Sequence, residues 1–320
     1  MSNFITIDGG TTNTRLNLAL GDRIVDTVKL SVGARVGAEN KNEYKVSIKR
    51  GIEELLSRNG HDEGEIEAIV CSGMITSEGG LIDLPHLVAP IGICDLAENL
   101  YQAELPDVSS IPFVFIRGVK LLTEDELDAD MMRGEETELY GLCDKTLADT
   151  IYVLPGSHSK LIKTDEKGRI TSFSTSLSGE MIAALSEGTI LKGSLNIKES
   201  RINEEYLKRG REYADENGIA SALFKVRILD KALCKSKDEV YSFFLGAILS
   251  SDYSNILNSS ENTVVIGGKA VLRDAISLLL EGSGKKMVTV DDVTVETATA
   301  IGAMRIYKKH LEADGNGKAL

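Results

Sequence analysis

Phe4-Ile5-Thr6-Ile7-Asp8-Gly9-Gly10-Thr11-Thr12-Asn13-Thr14-Arg15 is the stretch on which the fold turns. β-prone residues run into an aspartate, a turn of glycines and hydroxyls follows, and apolar alternation resumes at Leu16-Asn17-Leu18-Ala19-Leu20. The pattern predicts strand, tight turn, strand. Gly9 and Gly10 allow backbone N–H groups to approach an anion closely, and Thr11 and Thr12 add hydroxyl donors. A carboxylate such as Asp8 beside a phosphate cradle needs a cation between the two, and hydrated Mg²⁺ carried by nucleotide phosphates supplies one. Read alone, the turn is equally compatible with an ordinary Gly-rich hairpin.

The same order returns in the second half. In the first half, Gly21-Asp22-Arg23 turns the chain into a third strand at 24–30. Later, Thr150-Ile151-Tyr152-Val153-Leu154 reads as a strand and Pro155-Gly156-Ser157-His158-Ser159-Lys160 as a polar turn. Leu161-Ile162-Lys163 resumes the strand, Asp165-Glu166-Lys167-Gly168 turns, and 170–176 gives the third strand. Two such βββ units predict an internal duplication, with α/β domains at 1–145 and 146–320 whose turns could grip one polyphosphate from both sides. A third Gly-bearing strand end, Thr263-Val264-Val265-Ile266-Gly267-Gly268-Lys269, would let a flat ring lie against backbone.

Between these landmarks, helical spacing predicts a helix over 42–58, and Glu67-Ala68-Ile69-Val70-Cys71 predicts a buried strand. That strand delivers the small-residue loop Ser72-Gly73-Met74-Ile75-Thr76-Ser77-Glu78-Gly79-Gly80, the kind of place where open α/β sheets present binding groups. Surface connections of the same composition are equally common. Pro112-Phe113-Val114-Phe115-Ile116 is the next strand, and Arg133-Gly134-Glu135-Glu136-Thr137-Glu138 opens a helix whose first turn favours acidic residues for its dipole. Helices are expected at 179–191, 240–257, 270–281 and 298–311, with a strand at 288–290. The charged stretch 198–218 reads as a solvated helical face or a lid-like insertion, and 313–317 as an unstructured tail.

Composition narrows the partners. The chain has 320 residues, 42% hydrophobic and 27% charged, as in a soluble globular protein of two domains. A net charge of −13 argues against nucleic acid or an anionic membrane, and means that an anionic substrate needs a local basic pocket. Cys71, Cys94, Cys143 and Cys234 form no CxxC pair, so neither structural zinc nor a disulfide framework is expected. With no basic leader before the first strand and no apolar run of membrane-spanning length, a cytoplasmic location is expected.

Three Gly-bearing turns at strand ends, two of them in repeated βββ units, resemble the actin/hexokinase-type ATPase superfamily. The first turn resembles its phosphate-1 motif, Pro155 to Lys160 its phosphate-2 motif, and Val264 to Lys269 its adenosine motif. Within that group the chain is similar to the 2-dehydro-3-deoxygalactonokinase family. The segments that carry this likeness are Asp8 to Arg15, Ser72 to Ser77, Met132 to Leu139, Pro155 to Lys160 and Ser178-Gly179-Glu180. Arg-Gly-Glu-Glu-Thr and Pro-Gly-Ser-His-Ser-Lys are the distinctive ones. Members of the family commonly carry tryptophan after the first aspartate and after the phosphate-2 lysine; here those positions are Gly9 and Leu161, and the chain has no tryptophan. Loss of so large and flat a side chain would reshape the wall near sugar or nucleotide.

The resemblance implies two ribonuclease H-like (actin/hexokinase-type) α/β domains with a nucleotide cleft between them. It also implies transfer of the ATP γ-phosphoryl group to the 6-hydroxyl of 2-dehydro-3-deoxy-D-galactonate, a sugar-acid kinase step in galactonate degradation. By that likeness Glu135 is the base, with Glu136 second, and Asp8 orders the water shell of Mg²⁺. Gly9, Gly10, Thr11, Thr12, Asn13, Gly156, Ser157 and His158 surround the phosphates, with Arg15 or Lys160 facing them, and Gly267 and Gly268 lie against the adenosine. His158 could equally be a turn-stabilising donor. Arg133 is the candidate for the substrate carboxylate, which a guanidinium binds bidentately, and Ser72, Met74, Thr76 and Glu136 would contact the sugar acid. A kinase for another sugar acid or hexose, a non-catalytic nucleotide or sugar sensor, and a polyphosphate hydrolase are the alternatives. Oligomeric state stays open, a homodimer among the options.

Overall fold

The computed structural model describes residues 3–142, 150–195 and 200–317. β1 (Asn3–Gly9), β2 (Thr14–Leu20) and β3 (Arg23–Leu30) form the antiparallel meander expected from the opening stretch. Two helices follow, α1 (Ala34–Glu39) and α2 (Lys41–Asn59). The Asn40 side chain caps α2 by accepting from the Glu43 N–H, and Gly60, at φ +67°, ends it in a left-handed turn. β4 (Ala68–Gly73) runs parallel to β1. Next come β5 (Leu87–Val88), α3 (Ile93–Glu98), β6 (Tyr101–Ala103), β7 (Phe113–Phe115), β8 (Val119–Leu121), β9 (Asp130–Met132) and α4 (Glu135–Leu142). The main sheet has the order β3-β2-β1-β4-β7-β6. A separate sheet, β5-β8-β9, was not foreseen, because strands of two or three residues are too short to show alternation.

The second βββ unit is β10 (Thr150–Leu154), β11 (Ser159–Thr164) and β12 (Ile170–Ser176). It is followed by α5 (Ser178–Gly188), α6 (Glu204–Asn217), α7 (Ile219–Lys231), α8 (Lys237–Ile248), α9 (Ser250–Leu257), β13 (Thr263–Ile266), α10 (Ala270–Leu280), β14 (Lys286–Thr289) and α11 (Asp292–Gly317). Its sheet has the order β12-β11-β10-β13-β14, with β13 parallel to both β10 and β14.

Packing divides the chain into two units. The first comprises Met1–Ala148, Thr164–Ser172 and Val293–Leu320; the second comprises Asp149–Lys163 and Phe173–Asp292. The boundary expected at 145–146, and Cys143, lie outside the described residues. α11, expected with the second half, packs with the first unit. Tyr307 meets Phe4 edge-on at 5.4 Å between ring centroids. Gly302 and Gly141 face the Thr137 and Ala298 carbonyls so closely that a Cβ on either would lie within 2 Å of that oxygen. Alternation along β1 sends Ile5 and Ile7 into one core with Leu16, Leu18, Tyr44, Ile48, Ile52 and Leu55. Burying each of the large α2 side chains contributes about 1.5–3 kcal/mol before chain entropy is counted.

Three helical expectations need correction. The single helix expected over 240–257 is two, because the chain turns at Leu249; α8 is buried almost throughout, whereas α9 opens on Ser250-Ser251-Asp252 and is partly exposed. The stretch 198–218, whose first two residues lie outside the described ones, contains the helix α6 with a charged, exposed face, as one of the two alternatives had it, but its other face is packed and it is no lid-like insertion. α6 packs against α8 through facing glycines: a Cβ on Gly210 would meet the Phe243 carbonyl, and one on Gly246 the Leu207 carbonyl. Its buried Tyr206, Leu207 and Ala214 were hidden among charges. The last helix is longer at both ends than expected and continues through 313–317.

Candidate active site

In the first unit, β1 and β4 bring polar residues together at their C-terminal ends. Register sets Asp8 opposite Arg15 on β2 and opposite Ser72 on β4, with Gly9 opposite Gly73. The glycines let three segments distant in sequence touch. A Cβ on Gly73, at φ +78°, would lie 2.5 Å from the Gly9 carbonyl oxygen and 3.2 Å from Asp8 Oδ1. One on Gly9 would meet Ile75 at 2.7 Å, and one on Gly134 the Gly73 Cα at 3.3 Å. Residue 9 therefore has no room for a large ring unless the 74–75 segment moves.

Beyond Gly9 the turn is closed by the Gly10 N–H donating to the Asn13 carbonyl at 2.8 Å. The N–H groups of Thr11, Thr12 and Asn13 have no acceptor among the described residues. Beside them opens a pocket of about 370 Å³ lined by Asp8, Gly10, Thr12, Asn13, Thr14, Arg15, Lys29, Leu30 and Ser31. Arg15 is held by the Glu296 carbonyl, to which its Nη1 donates at 3.0 Å. Its charge opposes those of Asp8 and Glu138.

Four carboxylates gather here. Burial, opposed by Arg15 and reinforced by Glu135, raises the Asp8 carboxyl to about 6. Glu136 is fully buried and accepts from the Gly134 N–H and the Thr137 hydroxyl; burial, and then the Glu135 charge, lift it to about 8. Half-buried Glu138 rises to about 8 through burial and the charges of Glu135 and Asp8. Glu138 was not singled out from the sequence; its spacing of one helical turn from Glu135 was the available signal. Glu135, half-buried at the start of α4, accepts from the Arg133 N–H at 3.1 Å through Oε2. Oε1 has no hydrogen-bond partner among the described residues.

Carboxyls raised on folding hold protons that the unfolded chain releases, so their stabilisation is complete at low pH and is lost as pH rises through the folded values. The ligand-free protein is expected to lose stability between about pH 5 and 8. Glu136, moved from 4.5 to about 8, accounts for about 3 kcal/mol of that loss between pH 4.5 and 7. Thermal unfolding as a function of pH checks this. Glu136→Gln should flatten the decline, and a variant that falls as steeply as the parent would contradict the assignment.

Arg133 is engaged by the loop after β4. Its Nη1 donates to the Thr76 carbonyl and, at 2.6 Å, to Thr76 Oγ1; its Nη2 donates to the Leu84 carbonyl at 3.0 Å and lies 3.4 Å from His86 Nδ1. Thr76 Oγ1 in turn donates to the Gly73 carbonyl at 3.0 Å. Burial, then the charges of Arg133 and Lys120, hold His86 below its ordinary value. Ser72 is buried and its hydroxyl has no partner among the described residues, whereas Met74 is half-buried.

In the second unit, Pro155–Ser157 rests on two other glycine-bearing segments. A Cβ on Gly179 would lie 2.0 Å from the Gly156 carbonyl oxygen, and the Glu180 N–H donates to the Ser157 carbonyl at 3.0 Å. Gly268, at φ +74°, leaves no space for a side chain against Pro155, and the Gly267 N–H donates to the Val153 carbonyl at 2.9 Å. The N–H groups of Gly156, Ser157 and His158 have no acceptor among the described residues. His158 is exposed and pairs with Glu180 at 3.3 Å. Lys160 is buried and its ammonium donates to the Thr175 hydroxyl on β12.

The donor set suits a hard cation with oxygen ligands. Among the described residues no group of three or more His, Cys, Asp or Glu is placed to hold a metal ion. A cation near Asp8 would therefore draw its ligands from water and phosphate, and its charge would relieve the carboxylate's unfavourable burial. No described helix is long and apolar enough to cross a membrane.

Residues 8–306 match the family model described as 2-keto-3-deoxy-galactonokinase. A Rhizobium meliloti (strain 1021) protein described as a probable 2-dehydro-3-deoxygalactonokinase is 27% identical over 198 residues, covering 59% of this chain. The match spans 58% of that relative's own length. Among solved structures, a Sinorhizobium meliloti protein described provisionally as a 2-dehydro-3-deoxygalactonokinase superposes with a TM-score of 0.78 at 20% identity, covering 95% of this chain and 99% of its own. The activator of 2-hydroxyisocaproyl-CoA dehydratase from Clostridium difficile, with bound ADPNP, gives 0.53 at 15% identity over 99% and 98% of the two chains. Xylulose kinase from Lactobacillus acidophilus gives 0.51 at 12% identity over 98% and 90%. These likenesses establish the actin/hexokinase-type α/β fold.

Proposed function

The chain belongs to the 2-keto-3-deoxy-galactonokinase family, and from that premise we propose that it transfers the γ-phosphoryl group of ATP to the 6-hydroxyl of 2-dehydro-3-deoxy-D-galactonate. The observation that carries this reading is the convergence of Asp8, Ser72 and Glu135 on glycine contacts beside a turn with unused N–H groups. Phosphoryl transfer asks a protein mainly for positioning and for charge stabilisation, with one base for the acceptor hydroxyl.

Each unit offers its own part. In the first, Thr11, Thr12 and Asn13 donate to phosphate, and Asp8 stands behind them to order the water around Mg²⁺. When bound, that ion offsets charge on the transferred group. In the second, Gly156, Ser157 and His158 present N–H groups to phosphate, and Gly267 and Gly268 present bare backbone to the adenosine. Lys160, committed to Thr175, steadies β11 against β12 rather than reaching a phosphate. Arg133 ties Thr76 and Leu84 into a fixed wall for the sugar acid.

In the step itself, the 6-oxygen attacks the γ-phosphorus, the bond from phosphorus to the β,γ-bridging oxygen breaks, and ADP leaves with that electron pair. The hydroxyl proton passes to Glu135, whose Oε1 has no other partner among the described residues. Glu136 serves less well as the base, since it is sealed from solvent, bonded back to Gly134 and protonated below about pH 8. The cytoplasm, where ATP is plentiful, is the proposed location.

Coupled detection of ADP across a panel of sugars and sugar acids tests this reading. ADP release that requires Mg-ATP and is fastest with 2-dehydro-3-deoxygalactonate is expected. Equal ADP release without any acceptor would point to a hydrolase, and a preference for a neutral hexose to a different kinase.

A further inference from the structure

We propose that Arg117 receives the carboxylate of the sugar acid and so sets the preference for an acid over a neutral sugar; this rests on the sugar-kinase reading above. Arg117 follows β7 by two residues, at the same edge of the sheet as Asp8 on β1 and Ser72 on β4, since the three strands are parallel. The Ile116 N–H, donating to the Cys71 carbonyl at 2.8 Å, carries the strand ladder to its doorstep. The next residue, Gly118, is pressed into the candidate site: a Cβ there would lie 2.6 Å from the Met132 carbonyl oxygen and 2.8 Å from the His86 ring. Gly118 therefore lies against both His86 and the peptide that leads into Arg133, which sets the backbone of Arg117 one residue from them.

What distinguishes Arg117 is that it is uncommitted. Every other arginine that is at least half-buried has a hydrogen-bond or ion-pair partner among the described residues, as Arg15, Arg133, Arg211, Arg227, Arg273 and Arg305 illustrate. Arg117 is half-buried and, among the described residues, makes no ion pair or side-chain hydrogen bond and has a buried Nε with no acceptor. Taking a guanidinium partly out of water without a partner is unfavourable, and an anionic ligand accepting from its fork reverses that. In a chain of net charge −13 such an anion has to be held locally. Lys120, three residues on, adds positive field at His86.

The layout suits the substrate. The pocket with Lys29 and the unused N–H groups lies over β1–β3, and Glu135 is delivered beside Gly73. Arg117 stands on the far side of β4 from that pocket. A linear sugar acid has its carboxylate and its terminal hydroxyl at opposite ends, so the groups that recognise them must be apart. Arg133 occupies the same neighbourhood, but its terminal nitrogens already serve Thr76 and Leu84.

The test compares kcat/KM for 2-dehydro-3-deoxygalactonate with that for its methyl ester, which keeps the hydroxyls and lacks the charge. This ratio does not depend on the active fraction of a preparation, so a poorly folding variant still reports. The parent enzyme should prefer the acid by on the order of 10- to 100-fold. Arg117→Gln should treat acid and ester nearly alike, with ADP affinity by calorimetry unchanged, and Arg117→Lys, a point charge without the fork, should fall between. A glutamine variant that keeps the parent's preference overturns the assignment and leaves the kinase reading intact, as does a parent enzyme indifferent to the ester. A parent enzyme that phosphorylates neither compound overturns the functional reading and this assignment together.

Discussion

Replacing Glu135 by glutamine is expected to lower turnover on the order of 10²–10⁴-fold while ADP still binds with its original affinity. Three observations lead there. Glu135 begins α4, so the position of its backbone is fixed by Gly134 in contact with Gly73. One carboxylate oxygen is anchored by the Arg133 N–H, and the other has no hydrogen-bond partner among the described residues. Its neighbour Glu136 is turned inward and bonded to Gly134 and Thr137. Single-turnover kinetics with calorimetric ADP binding would read the outcome. Normal turnover in Glu135→Gln, with a dead but folded Glu136→Gln, would reverse the assignment of the base.

The second large effect is expected at Asp8. Asparagine is nearly the same shape but cannot hold the charge, and turnover should fall on the order of 10²–10³-fold. The pH profile gives a more specific readout. With its carboxyl raised to about 6, Asp8 is protonated at mildly acid pH, so activity should decline below that value. A proton and a cation compete for the same carboxylate, so more Mg²⁺ should move this acid limb to lower pH. The limb should disappear in Asp8→Asn. An acid limb that ignores Mg²⁺ concentration, or that survives the substitution, would remove Asp8 from the cation site.

Much of the fold was legible because its signals are local. Alternation and glycine-rich turns marked β1–β3 and β10–β12, and their repetition pointed to a duplicated architecture. Features set by tertiary packing were not legible. The apolar residues on both sides of Leu249 conceal the turn there, which only the small polar cluster Ser250-Ser251-Asp252 marks, and the charges of α6 conceal the face that Gly210 presses on α8. The attachment of α11 to the first unit depends on Gly141 and Gly302 removing side chains from one crossing, a relation between residues far apart in sequence.

The candidate site divides in the same way. Asp8, Gly9, Ser72 and Glu135 lie at strand ends or a helix start, where the sequence pattern is strong, and the structure brings their segments into contact. Arg133 and Lys160 were recognisable as cations near turns, but a sequence does not say which acceptors a long side chain finds. Both are taken up by protein groups. Arg117 was not legible for the complementary reason: a single arginine after a strand has no motif, and only its lack of partners among the described residues gives it meaning.

Phosphorus NMR of the product made from Mg-ATP and 2-dehydro-3-deoxy-D-galactonate tests the proposed transfer most directly. One phosphate monoester coupled to the two protons on carbon 6, formed in step with ADP, is the expected result. Inorganic phosphate alone, or an ester on any other oxygen, would contradict it.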